Sequence, residues 1–221
     1  MCIRDSYRHS FELGNDWKDR RTFIAFNGVD SAFYLYVNGE EVGYSQDSRT
    51  TAEFNITDYL KDGENQLAVK VFRYSDGSYL EDQDFWRLSG IFRDVYLRSV
   101  ADVFVRDIHA NASLLKSNNQ GSLIYTLDVE NQSDQNPPAG VKIEVTLVDL
   151  DGEVVASVPN TLHITEGKSN RAEISLPVVQ DVKAWSSEHP HLYTCVAKLS
   201  RMSAAAKEKV LSVHALSLIH I

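Results

Sequence analysis

The sequence predicts an all-β protein built as two β-sandwiches in tandem, and three observations carry that reading. Short apolar and β-branched runs recur along the chain, as in AFYLYV, QLAVKVF, IEVTLV and TCVAKL. Hairpin-type dipeptides, Asn38-Gly39, Asp62-Gly63 and Asp151-Gly152, punctuate them. A length of 221 residues accommodates two domains of about 100 residues each, and no internal repeat or low-complexity tract interrupts the pattern.

The first unit covers residues 7–100. In TFIAFNGVDSAFYLYVNGEEVGYS, the run Ala32, Phe33, Tyr34, Leu35, Tyr36, Val37 is nearly all apolar or aromatic, which predicts a strand covered on both faces. Asn38-Gly39 supplies the positive φ angles of a two-residue hairpin turn. ITDYLKDGEN reads as a single helical turn with Thr57 as its cap. In NQLAVKVFRY, Leu67, Val69 and Val71 alternate with polar or smaller neighbours, and Asp76-Gly77 marks the next break. The second unit, residues 101–215, reads as five or more strands in GSLIYTLDVENQS, VKIEVTLVDLDGEVVASV, RAEISLPV and LYTCVAKLS. Its turns fall at Asp151-Gly152 and around Asn136-Pro137-Pro138. That spacing predicts a small antiparallel sandwich; without paired cysteines, any immunoglobulin likeness is one of architecture only.

A formal net charge of −9 argues against nucleic acid as a partner, which needs clustered Lys and Arg. No apolar run approaches the roughly 18 residues of a membrane span, so no membrane partner is expected. Cys2 and Cys195 are too few for a disulfide framework, which fits a reducing compartment. The ends stand apart from the rest. MCIRDS back-translates as ATG TGT ATA AGA GAC AG, whose reverse complement, completed by a final base, reads LSLIHI. A sequencing adaptor read in both directions accounts for both. Residues 1–6 and 216–221 are therefore expected to be adaptor-derived and are set aside from fold reasoning, along with Cys2 and His220 as ligands. The remainder then reads as a piece of a longer gene.

Chemistry concentrates in SYLEDQDFWRLSGIFRDV. Glu81, Asp82 and Asp84 are candidates for a glycosidase acid and nucleophile, a pair that in retaining enzymes stands about 5–5.5 Å apart across the scissile bond. On an extended strand Asp82 and Asp84 share a face and Glu81 points the other way; two carboxylates on one face approach a sugar from the same side rather than flanking the bond, which counts against self-contained catalysis by the trio. Two readings stay open. In one, a carboxylate takes a sugar hydroxyl or a hard cation while Phe85 and Trp86 form an apolar wall. In the other, Arg87 or Arg93 pairs the acids in a structural loop. Trp185, in VKAWSSEHPHLYT, reads as a core or interdomain anchor. His189 and His191, either side of Pro190, lack a third ligand nearby and read as a surface turn.

The run from Phe26 to Leu97, with DGSYLEDQDFWRLSGIFRDV as its most specific part, closely resembles the amino-terminal region of glycoside hydrolase family 2 β-galactosidases. VKAWSSEHPHLYT resembles the end of that family's second domain. The resemblance implies a jelly-roll (galactose-binding-like) sandwich followed by an immunoglobulin-like β-sandwich. In the family a TIM barrel, with both catalytic glutamates, comes next, beyond Ala215. It implies retaining hydrolysis of terminal β-galactosides such as lactose, through a galactosyl-enzyme intermediate. By the Asp-x-Trp motif it implies substrate binding by Asp84 and Trp86, with Asp84 contacting the galactosyl 6-hydroxyl and a sodium ion. Gln46 and Asp76 match a peripheral magnesium site whose other ligands come from an upstream segment. The implied partners are β-galactoside sugars, the barrel of the same chain and further copies in a homo-oligomer. A cytoplasmic location is expected, with a periplasmic one as the alternative. The chain itself is expected to be inactive. Two further readings are a free-standing carbohydrate-binding sandwich and a structural sandwich pair of another family 2 glycosidase, such as a glucuronidase.

Overall fold

A computed structural model describes every residue except 1–3, 83, 85, 87, 116–118, 133–140, 163–168, 203–207 and 219–221. The turn around Asn136-Pro137-Pro138 lies outside the described residues. The backbone divides into two units, Met1–Ser99 and Val100–Ile221. Among the described residues no helix is long and apolar enough to cross a membrane.

The first unit contains β1 (Arg4–Phe11), β2 (Arg21–Phe26), β3 (Val29–Asp30), β4 (Ala32–Val37), β5 (Glu40–Gln46), β6 (Ala52–Asn55), β7 (Asn65–Phe72), β8 (Gly90–Ile91) and β9 (Val95–Val100). One sheet has the order β1-β7-β4-β5, a second β6-β2-β9, and β3 pairs with β8. Ile24 and Phe26 of β2 meet Phe33, Leu35 and Val37 of β4 and Val69 and Val71 of β7 in one core. Burying each such side chain contributes about 1.5–3 kcal/mol, which fixes which face of each strand turns inward. The β4 run is covered on one face rather than two. Tyr34 and Tyr36 are half-buried on the other face, where Tyr34 packs against Tyr44 at 4.9 Å and Phe72 at 5.9 Å. Aromatic rings cover one another across strands there without a second layer, so an apolar run alone overstates burial.

Asn38 (φ 52°) and Gly39 (φ 89°) form the expected turn between β4 and β5. Asn38 also reaches away from its hairpin. Its amide donates to Tyr59 O and Asn65 Oδ1, and its Oδ1 accepts from Gln66 N. Asn65 is wholly buried and fully satisfied, accepting from Lys61 N and donating to Lys61 O and Gly63 O. The helical turn after β6 is a 3-10 turn, Thr57–Tyr59. Thr57 is its first residue rather than its cap. Asn55 Oδ1 accepts from Thr57 N at 3.0 Å, and the Thr57 hydroxyl instead ties the turn to Thr22 N at 2.9 Å. Asp76-Gly77 does not turn a hairpin but opens the one-turn helix α1 (Gly77–Leu80).

The second unit contains β10 (Val103–Leu115), β11 (Gln120–Asn131), β12 (Val141–Val148), β13 (Val154–Leu162), β14 (Ser169–Ser175), β15 (Tyr193–Met202) and β16 (Glu208–Leu218). Sheets of order β10-β11-β14 and β13-β12-β15-β16 enclose a core. Val141, Ile143, Val145 and Leu147 point inward at every second position of β12, opposite Leu123, Tyr125, Leu127 and Val129 of β11. Asp149 Oδ1 accepts from Asp151 N and Glu153 N, closing the turn at Gly152 (φ 84°). The residues set aside at the ends take part in pairing. Residues 4–6 continue β1 opposite Phe72, Val71 and Lys70, and residues 216–218 continue β16 opposite Cys195, Thr194 and Tyr193. Ladder hydrogen bonds come from main-chain groups, so a short proline-free segment extends a strand whatever its origin.

Candidate functional site

The 76–96 loop, which runs from α1 past β8 into the start of β9, is tied down at both ends, and Asp84, Trp86 and Leu88 at its tip are exposed. At the start, α1 turns the chain so that the Glu81 carboxylate accepts from Ser48 N, at 3.2 and 3.3 Å. The segment is therefore not extended, and Glu81 is a brace whose oxygens are already engaged. At the far end, Arg93 Nη1 donates to Asn27 O and Arg49 O at 3.1 and 3.0 Å, and the guanidinium groups of Arg49 and Arg93 lie 4.9 and 5.2 Å from the Phe92 ring centroid. Arg93 thus binds main-chain carbonyls and not the acids. Phe92 N donates to Gly28 O, Val29 pairs with Ile91, and Asn27 N donates to Asp94 O.

In α1 and between these anchors, the large described apolar side chains face water. Trp86 and Leu80 are 87% exposed, Tyr79 74% and Leu88 71%. Asp84 is exposed and its carboxylate has no partner among the described residues, whereas Asp82 is engaged. Phe85 and Arg87 lie outside the described residues. An exposed carboxylate and an exposed indole two positions apart are one half of a sugar-binding arrangement: a ring can take an apolar sugar face and a carboxylate a hydroxyl. Tying the base while freeing the tip keeps Asp84 and Trp86 available without unfolding the strands around them.

Gln46 and Asp76 come to one place. Gln46 Oε1 accepts from the Tyr44 hydroxyl at 3.1 Å. Burial, and after it the Asp76 charge, pushes that phenol above its ordinary value. A Cβ added at buried Gly77 would stand 3.3 Å from Ser75 Oγ, 3.4 Å from Glu81 Oε1 and 3.8 Å from Gln46 Oε1, so these oxygens ring the start of α1. The buried Ser75 hydroxyl has no partner. Such a set of hard oxygens fits part of a magnesium shell, which takes six ligands. Among the described residues no group of three His, Cys, Asp or Glu is arranged to hold a metal. Ser48 and Ser75, which shape this corner, carried no signal in the sequence.

In the second unit Trp185 is 38% exposed and lies outside the core cluster, so it does not anchor that core. His189 and His191 stack 6.3 Å apart in a turn where His189 O accepts from Ser186 N and His191 N. Among the polar groups buried in this unit, Tyr125 and Cys195 belong to the core cluster itself. Burial pushes the Cys195 thiol up to about 12. Burial, with Cys195 as the second cause, raises the Tyr125 phenol as well. The Tyr125 hydroxyl has no well-formed hydrogen bond, because the neighbouring sulfur is only a weak acceptor. A thiol held this way is a packing group and not a nucleophile.

The sugar-binding domain of glycosyl hydrolases family 2 matches residues 3–100, and a second domain of glycosyl hydrolases family 2 matches residues 103–211. The chain belongs to glycoside hydrolase family 2. A β-galactosidase of Priestia megaterium is 41% identical over 202 residues, covering 91% of this chain and 19% of that protein. One from Psychromonas ingrahamii is 44% identical over 194 residues, covering 87% and 19%. The chain therefore spans about a fifth of the length of these curated relatives. Among solved structures, a Bacteroides uniformis β-glucuronidase superposes with a TM-score of 0.88 at 21% identity, over 100% of this chain and 26% of that one. A family 2 member from Bacteroides cellulosilyticus gives 0.84 at 20%, over 98% and 28%. Those two likenesses concern the fold alone.

Proposed function

We propose that this chain is the amino-terminal part of a retaining β-galactosidase, and that its 76–96 loop carries Asp84 and Trp86 to an active site completed by a barrel encoded further along the gene. The observation that carries this reading is the exposed tip: a carboxylate without partners and a bare indole on a loop whose base is tied down. The identity to β-galactosidases over nearly the whole chain supports the substrate class. In this reading Asp84 takes the galactosyl 6-hydroxyl and a sodium ion, Trp86 lines the pocket, and Gln46 and Asp76 lend oxygens to a magnesium ion. The enzyme acts as a homo-oligomer. Residues 7–100 and 101–215 are its two sandwich domains, and residues 1–6 and 216–221 are adaptor-derived.

The catalytic glutamates of this reading lie beyond residue 215, so the chain alone turns nothing over. Two measurements test it. DNA amplified outward from the source gene continues past codon 215 into a barrel with two catalytic glutamates, and the purified chain fails to hydrolyse a chromogenic β-galactoside. Hydrolysis by the chain alone overturns the assignment of catalysis to the barrel. A native stop codon in place of the adaptor favours a free-standing sugar-binding module instead.

A further inference from the structure

A second cleft of the first unit shares no residue with the 76–96 loop. It has a volume of about 680 Å³ and lies between the segment around the 3-10 turn Asn15–Trp17 and the Leu60–Gly63 corner, with Thr22 and Thr57 also lining it. In size it falls within the roughly 300–1,000 Å³ of small-ligand sites. Its Leu60–Gly63 wall and its floor are fixed in advance. Asn65, wholly buried, holds the Lys61 and Gly63 backbone through three hydrogen bonds. Thr57 Oγ1 holds Thr22 N, and Arg20 is pinned by Ser99, its Nε to Oγ at 2.6 Å and Nη2 to the carbonyl at 3.1 Å. A cleft held by buried hydrogen bonds loses little conformational freedom when a ligand enters.

Its chemistry departs from that of the chain as a whole. The chain carries a net charge of −9, yet the cleft is lined by Lys18, Arg20 and Lys61 against Asp62, with the exposed Asp16 carboxylate at the rim beside Gly14. The ammonium groups of Lys18 and Lys61 have no partner among the described residues. Trp17 is half-buried on the same wall. An indole and two unengaged cations lining one cleft match a ligand with an apolar ring face and an anionic substituent, and the volume limits it to one or two rings. We propose that this cleft binds an acidic saccharide, a pyranose bearing a carboxylate, with Trp17 packing on the sugar ring and Lys18 and Lys61 taking the anion. This site is independent of the Asp84 loop and of the proposed hydrolysis.

The test is a titration of the 221-residue chain, followed by the indole and backbone amide signals in two-dimensional NMR. The probes are D-galacturonate, D-galactose and inorganic phosphate. Saturable shifts are expected at the Trp17 indole and at residues 14–18 and 60–63 with galacturonate, with galactose binding at least about tenfold more weakly. Replacing both exposed lysines, Lys18→Gln with Lys61→Gln, leaves the fold intact and removes the preference for galacturonate. Trp17→Phe assigns the indole signal and weakens both sugars. No shift at Trp17 with any probe overturns the proposal. Equal response to phosphate and galacturonate overturns its saccharide part, and an unaltered preference in the double variant overturns the role of the lysines. A failed sugar titration here leaves the Asp84 reading untouched, because loss of Asp84 is read in turnover by the longer enzyme.

Discussion

The tip of the 76–96 loop and the core of the second unit break opposite rules. The loop leaves Tyr79, Leu80, Trp86 and Leu88 in water, while the core seals a phenol and a thiol away from it. Exposed apolar groups on a tethered loop contribute nothing to folding, and their value must lie in what they touch. The sealed Tyr125–Cys195 pair is the reverse case. It gains packing volume and forgoes reactivity, since neither group ionises near neutral pH. In this chain, then, the site to look to for function is where burial is withheld, and a buried titratable pair is architecture.

The largest effect that tests this contrast is on stability. Leu127→Ala, in the core of the second unit, is expected to cost about 2–5 kcal/mol in chemical denaturation, whereas Leu88→Ala at the loop tip should change stability by no more than about 0.5 kcal/mol. A comparable loss at Leu88 would mean that the tip is packed. Next comes Asn65→Ala, which strips four hydrogen bonds from a buried corner and should cost about 1–3 kcal/mol by the same measurement. Glu81→Gln, which weakens the acceptor for Ser48 N at the loop base, should cost about 1 kcal/mol and broaden the loop's amide signals.

A smaller effect appears in alkali. Cys195 rises from an ordinary 9.0 to about 12, and Tyr125 rises above its ordinary 10.0. Both groups stay protonated in the folded state while the unfolded chain ionises, so folding binds protons. Their contribution is fully present below pH 9 and is lost progressively between about pH 9 and 12. Denaturation midpoints should fall across that window, and Cys195→Ala should flatten the fall. A profile unchanged by Cys195→Ala would mean that the thiol already titrates normally.

Much of the fold was legible in the sequence, because the signals involved are local. Asn38-Gly39 and Asp151-Gly152 mark turns by their φ angles, and the alternation in β12 reports a single buried face. What failed depended on distant partners. Tyr34 looks like a core residue until cross-strand rings are seen to cover it, and Thr57 looks like a cap until Ile56 is seen in that position, with the Thr57 hydroxyl accepting from Thr22 N. The long strand β10 carried no turn signal to announce it. At the site, the motif around Asp84 and Trp86 could be read, but which carboxylate was engaged could not. That depends on Ser48, 33 positions from Glu81 in the chain, and no short pattern encodes it. The cleft at Trp17 escaped for the same reason, since its two walls come together only in the fold.

In the proposed reading the exposed Asp84 serves catalysis and not folding. The most direct measurement is kcat/KM for a chromogenic β-galactoside, at limiting sodium, in the longer enzyme carrying Asp84→Asn. A fall of about 10- to 100-fold is expected, the range for losing a hydrogen bond to a charged group, together with an altered sodium response and an unchanged unfolding midpoint. An unchanged kcat/KM at limiting substrate and sodium would contradict it and return the loop to a structural role.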